Sequence, residues 1–261
     1  MVAHRRRPAA GARPRRRSTA RCRGGGRRLP VPLSSTPTVL AARPTSFAGL
    51  SARAVVWDYD GTLVETRFAD EAAVAELVAR HPASRAGAEL FWATDGQPLL
   101  QRIELAWPGR TEEILPLFSQ PVRPRRLRGV TPVLTELHHR GYRMAVVSSR
   151  RHAALEWGLR ACGLRRFFRA VVGLEDVTQP KPDPEGLLLA LRLLTVAASN
   201  AVYIGDNEVD VDAGRRAGVI TWRALWAHPD AAAAIPGPFA LRRPREVLER
   251  LSAPPLAAVG G

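Results

Sequence analysis

At 261 residues and 46% apolar composition, the chain can bury a sizeable core and has room for one large domain plus an insertion. A formal charge of +15 would point to a nucleic-acid binder, but residues 1–53 hold 13 arginines and no acid, leaving 26 basic against 24 acidic residues in the body. Cys22 and Cys162 offer no disulfide framework, as expected of a cytoplasmic protein, and no apolar run is long enough to span a membrane.

Residues 1–50, rich in Arg, Pro, Gly and Ser without a sustained apolar period, read as a disordered tail. It lacks the apolar stretch of a secretory signal. An over-extended start of translation is preferred over a nonspecific polyanion-binding arm or an Arg-rich organelle presequence. A short strand follows at 54–58, then a long excursion from about 66 to 127. In that excursion the Phe68–Arg80 helix and the amphipathic run Glu104–Phe118 have no β partner and read as an inserted helical cap.

Beyond it the chain alternates. Strands are predicted at 143–148, 170–173, 201–205 and 219–223, with helices at 131–140, 151–161, 184–194 and 209–217. Such alternation predicts an α/β, doubly wound parallel sheet covered on both faces. The expected division is a core of 51–65 and 128–226, a cap of 66–127, and 227–261 as an Ala/Pro-rich linker ending in a helix at about 244–252.

Four stretches carry chemistry. In Asp58-Tyr59-Asp60-Gly61-Thr62, two carboxylates end an apolar strand, where α/β sheets build their sites; the plainer reading is turn chemistry. Ser148-Ser149 ends the strand from Met144, placing hydroxyls and amides where an anion can be held, or where a helix needs a cap. Lys181 is the only lysine of the chain, set in the stiff Gln179-Pro180-Lys181-Pro182-Asp183-Pro184 loop. A compact ammonium there suits a phosphate oxygen, although most lysines are solvated. Finally, Gly205-Asp206 and Asp210 follow the strand from Ala201, offering oxygen ligands to Mg²⁺ or Ca²⁺; Val211 and Ala217 stand where a calcium EF-hand loop needs Gly and Glu.

Taken in order, Asp58-x-Asp60-Gly-Thr, Ser148, Lys181 and Gly205-Asp206-x-x-x-Asp210 resemble the four motifs of the haloacid dehalogenase superfamily, over about residues 54–226. Fillers such as Gly129-Val130, Gly141-Tyr142, Cys162-Gly163-Leu164 and Ala217-Gly218-Val219 are similar to its phosphoglycolate phosphatase-like branch. Two departures stand out: Glu65 where that branch usually has Asp, and Ser149-Arg150 in place of Asn-Lys.

The resemblance implies a Mg²⁺-dependent phosphatase of small soluble phosphomonoesters. In it Asp58 is the nucleophile, Asp60 the general acid and base, and Ser148 and Lys181 hold the transferring group. Asp58, Asp206 and the Asp60 carbonyl bind the metal; Tyr59, Gly61, Thr62 and Ser149 surround the phosphate; Asp210 acts from behind. The implied partner is the phosphomonoester alone, with no membrane, no nucleic acid except nonspecifically through the tail, and a monomer or homodimer as the assembly. Asp60 distinguishes the chain from the dehalogenases, and a cap without lysine distinguishes it from the phosphonate hydrolases. A sugar phosphomutase, with Arg substituting in the cap, is the enzymatic alternative; a protein carried to nucleic acid by its tail is the other. Trp92, Trp107 and Phe118 are assigned to the cap core, and His138 and His139 to the surface. The loop at Gly96-Gln97-Pro98 finds no place in the scheme.

Overall fold

The computed structural model describes residues 52–118, 123–227 and 239–251; the Arg-rich tail and most of the predicted linker lie outside them. The core opens with β1 (Ala54–Trp57), whose four residues are all buried. Alternation divides them between the two faces of the sheet: Val55 and Trp57 enter one apolar cluster, Ala54 and Val56 the other. A strand buried on both faces must be apolar throughout, which is why the run reads as unbroken hydrophobicity.

After β2 (Val64–Glu65) come four helices, α1 (Arg67–Arg80), α2 (Arg85–Ala93), α3 (Leu99–Ala106) and α4 (Thr111–Phe118). The chain returns through β3 (Arg125–Arg126), which pairs antiparallel with β2, Val64 opposite Arg126. The start and end of the insertion are thus tied together at one two-stranded ribbon. Its helices close around their own core of Val74, Leu77, Phe91, Ile103, Trp107 and Ile114.

The remaining elements alternate: α5 (Val130–His139), β4 (Arg143–Val147), α6 (His152–Ala161), β5 (Ala170–Val172), α7 (Glu185–Leu194), β6 (Ala201–Gly205), α8 (Glu208–Ala217), β7 (Ile220–Ala224), β8 (Ala240–Leu241) and α9 (Glu246–Arg250). Six parallel strands form one sheet in the order β5-β4-β1-β6-β7-β8, with Val56 opposite Ala145 on one side and Tyr203 on the other. Helices α5, α6 and α9 supply side chains to one face, and α7, with Ala217 of α8, to the other. The doubly wound sheet and its helical insertion agree with the sequence expectation.

Three details differ from it. The run Glu104–Phe118 is not one helix, because Pro108 cannot donate a backbone hydrogen bond and Gly109 takes φ 71°, so α3 ends and α4 begins afresh at Thr111. Helix α2, absent from the sequence scheme, lies in the cap. The short β8 adds a sixth strand where a linker was expected, and the terminal helix is a turn shorter than predicted. Among the described residues, no helix is long and apolar enough to cross a membrane.

Candidate active site

Parallel register brings the ends of three adjacent strands together. Trp57 lies opposite Val146 and Ile204, so the chain that follows places Asp58, Ser148 and Asp206 at one edge. Backbone bonds hold them there: the Asp58 amide donates to the Ile204 carbonyl at 2.8 Å and the Ser148 amide to Val172 at 3.0 Å. Lys181 reaches the same edge from the loop between β5 and α7.

That lysine is no solvated loop charge. It is 8% exposed, and its Nζ donates to Asp58 Oδ1 and to Asp210 Oδ1, each at 2.7 Å. Tyr203 on β6 donates its hydroxyl to the same Asp210 oxygen at 2.7 Å, while the Asn207 amide donates to Asp210 Oδ2 at 3.0 Å. Both oxygens of the fully buried Asp210 are therefore committed, and this carboxylate fixes Lys181 from behind. Burial pulls the ammonium down, but Asp210 and Asp58 outweigh that, and its pKa ends well above the ordinary value.

Asp58, Asp206 and Asp210 each present a carboxylate oxygen within 4.8 Å of the others. Burial, joined by the charges of Asp210, Asp206 and Asp60, pushes Asp58 well above the usual carboxylate range despite Lys181. An ionised Asp58 is thus short of positive charge. Its Oδ2 accepts no hydrogen bond among the described residues. Hard oxygen donors with a deficit of positive charge fit a divalent cation such as Mg²⁺. Space is kept for this cluster by glycines: a Cβ on Gly61 would lie 2.1 Å from Asp206 Oδ2, and one on Gly205 would lie 2.4 Å from Asp210 Cγ.

Asp60 sits beside the cluster in a different environment. Arg150 Nε donates to its Oδ2 at 2.7 Å and its Oδ1 at 2.9 Å, and the Thr66 hydroxyl also donates to Oδ1. Burial raises Asp60, but the charge and hydrogen bonds of Arg150, with Thr66 and Lys181, win, and the carboxyl is held below its ordinary value. Two carboxylates two residues apart are thereby driven in opposite directions.

These groups line one cavity of about 830 Å³ between the sheet edge and the cap. Asp58, Tyr59, Asp60, Gly61, Ser148, Ser149, Lys181 and Asp206 all line it. Of the remaining sequence candidates, Thr62 is fully buried away from it, its Oγ1 directed at Asp206 Oδ1 at 3.4 Å, and Asp210 stands behind Lys181. The Ser148 Oγ accepts from the Arg150 amide at 3.2 Å, leaving its proton to donate. The Ser149 hydroxyl donates instead to the cap, at Gly96 O and 2.8 Å. Gly96 also abuts the core, where an added Cβ would meet Val209 at 2.7 Å and Asn207 at 2.9 Å.

A family model of haloacid dehalogenase-like hydrolases matches residues 55–224. The chain belongs to this family. It is 36% identical over 126 residues to "Pyrophosphatase PpaX" of Listeria monocytogenes, covering 48% of this chain and 55% of that one, so the match spans about half the length of that relative. The protein of the same name from Bacillus velezensis is 30% identical over 179 residues, 66% of this chain and 83% of the relative. Among solved structures, the fold is shared with a presumed phosphoglycolate phosphatase of Lactobacillus plantarum (TM-score 0.63, 23% identity, 77% of this chain and 100% of that one). It is shared too with a subfamily IA hydrolase of this superfamily from Geobacter sulfurreducens (TM-score 0.57, 22% identity, 78% and 98%).

Two site residues escape the sequence reading: Tyr203 looks like one more core residue of β6 and Thr66 like a loop residue, while Arg150 stands out in the sequence as a departure from Asn-Lys without its bond to Asp60 being legible. The cap aromatics also divide. Trp107 is buried and donates its indole N–H to Ser84 O at 2.8 Å, while Trp92 and Phe118 pack on the cap core and line the cavity as well. His138 and His139 are exposed, as expected.

Proposed function

We propose that the protein is a phosphatase acting on small phosphomonoesters through an aspartyl-phosphate intermediate on Asp58, with Mg²⁺ as its cofactor. One observation carries this reading: a buried carboxylate, Asp58, is held by a buried lysine beside a second and third carboxylate, at the mouth of a cavity on the sheet edge. Asp58, Asp206 and the Asp60 carbonyl would hold the metal. When bound, Mg²⁺ neutralises charge on Asp58 and the phosphoryl oxygens, so that one anion can approach another.

The chain's own groups do the rest. Asp58 Oδ2 attacks phosphorus, forming the acyl phosphate as the ester oxygen leaves. Lys181, anchored by Asp210, stays within reach of both the nucleophile and a transferring oxygen, with Ser148 and the Tyr59 and Gly61 backbone as further donors. Asp60 passes to the leaving oxygen a proton brought in on the substrate's phosphoryl group and then, ionised again, takes one from the attacking water. Arg150 and Thr66 hold it for the second task. Thr62 braces Asp206, and Ser149 helps seat the cap. The match to pyrophosphatases and the shared fold with a presumed phosphoglycolate phosphatase support a small, strongly anionic substrate.

The test is hydrolysis of p-nitrophenyl phosphate and 2-phosphoglycolate by the full chain with and without Mg²⁺. Turnover that requires the metal and disappears in Asp58→Asn supports the reading. Full activity with excess chelator, or in Asp58→Asn, would sink it.

A further inference from the structure

Phosphoryl chemistry accounts for only part of the cavity. Asp58, Asp60, Ser148, Lys181 and Asp206 gather at the sheet edge, and a phosphoryl group on a two-carbon leaving group fills a small share of the space, which measures about 830 Å³. Cavities of about 300–1,000 Å³ are those that enclose drug-sized molecules. Much of the remaining lining is apolar. Trp92, Leu100, Leu115 and Phe118 border it from the cap, and Ala154 and Trp157 from α6. Leu100 and Trp157 are each 51% exposed, two of the six large apolar side chains left exposed among the described residues. One exposed leucine needs no explanation. Here two such side chains, from cap helix α3 and core helix α6, border the same cavity alongside further apolar groups. Water against them is unfavourable, and a bound apolar group displaces it.

We infer that this wall is a subsite for the substrate's leaving group, and that the leaving group carries an apolar body about the size of an aromatic ring. The inference rests on the phosphatase reading above and adds the leaving group to it. The phosphoryl dianion meets the charge of the sheet edge, and the ring meets the wall. Continuity identifies the occupant: wall and carboxylates line one cavity, so a group attached to a phosphoryl at Asp58 extends into the space that the wall borders. Trp92, Phe118 and Trp157 also make a ring the better fit, because one ring packs on another, offset or edge to face, with a gain beyond the area it buries.

The experiment measures kcat/KM of the full chain with Mg²⁺ for ethyl phosphate, 2-phenylethyl phosphate and 4-phenylbutyl phosphate, whose alcohols are similar leaving groups. At least one aryl ester should exceed ethyl phosphate by about tenfold or more, since a single methylene in a fitted apolar pocket is worth that much. Trp157→Ala and Leu100→Ala should each reduce this preference by about threefold or more. Both side chains are half exposed, so neither truncation opens the core. Leu193→Ala removes a similarly exposed leucine from α7, outside the cavity lining, and should leave the preference within about twofold of wild type. Equal kcat/KM for the three esters in the wild type, or hydrolysis of 2-phosphoglycolate but of neither aryl ester, would overturn the inference. So would an equal loss on every ester in Trp157→Ala and Leu100→Ala, the outcome expected if these side chains only seat the cap on the core. Failure to hydrolyse any of these esters or p-nitrophenyl phosphate would instead bring down the phosphatase reading on which it rests.

Discussion

The sheet edge and the cap are built by different rules. At the edge, Asp58, Ser148 and Asp206 each follow a short buried strand, backbone hydrogen bonds to a neighbouring strand fix Asp58 and Ser148, and Lys181 comes in from a loop onto two of the carboxylates. In the cap, position depends on side chains from separate helices meeting over a small core, and contact with the sheet edge runs through single atoms such as the Ser149 hydroxyl and Gly96 O. The first arrangement holds a reaction in place. The second is free to vary in what it admits. Variants at the edge should therefore act on turnover, and variants at the seam between edge and cap on substrate affinity.

The largest effect belongs to the carboxylates. Asp206→Asn removes a charged oxygen from the cluster and should lower kcat by about 10³ or more while the sheet remains folded, as circular dichroism would show. A variant retaining a tenth of the activity would break the contrast at its strongest point. Next is Lys181→Arg, which preserves charge but not shape. Nζ sits between two carboxylates at 2.7 Å each in a buried space, so the wider guanidinium should cost about 10² in kcat and, through overpacking, about 1–3 kcal/mol in stability. Unchanged turnover would reduce Lys181 to an attractor of anions.

The pH dependence sharpens the same contrast without a mutation. Because Asp58 is raised in the folded chain, it retains a proton that the unfolded chain has lost between the ordinary carboxylate pKa and the raised one. Stability from this group is thus full below that window and falls as pH rises through it. Mg²⁺ supplies the missing positive charge, so it should raise Tm more near neutral pH than at about pH 4, and less in Asp206→Asn. Equal shifts at both pH values would mean that the metal binds elsewhere. The smallest effect is at the seam: Ser149→Ala loses one hydrogen bond, about 1 kcal/mol, and should raise KM by a few-fold with kcat nearly unchanged.

What could be read in the sequence follows the same divide. Asp58, Asp60, Ser148 and Asp206 were legible because each ends an apolar run that is unbroken for a physical reason, and Lys181 because nothing else in the chain resembles it. Tyr203 was not, since a hydroxyl inside a buried strand shows its purpose only when a partner, Asp210, folds back against it. Thr66 and Arg150 act on Asp60 across sequence gaps that no local pattern encodes. In the cap, the break between α3 and α4 was written in Pro108-Gly109 and overlooked in favour of amphipathic spacing. Gly96 had no local signal. Its place is set by the surface of α8, more than a hundred residues away.

The central claim is that Asp58 carries the phosphoryl group during turnover, and trapping tests it most directly. The full chain is mixed with substrate and Mg²⁺, quenched in acid within the first turnovers, digested, and analysed by mass spectrometry. One added phosphoryl group on the peptide containing Asp58, absent in Asp58→Asn and lost on mild alkaline treatment, is the predicted result. Phosphorylation of a different residue, or turnover of the ester with no covalent phosphoryl group under conditions that trap acyl phosphates, would contradict the account.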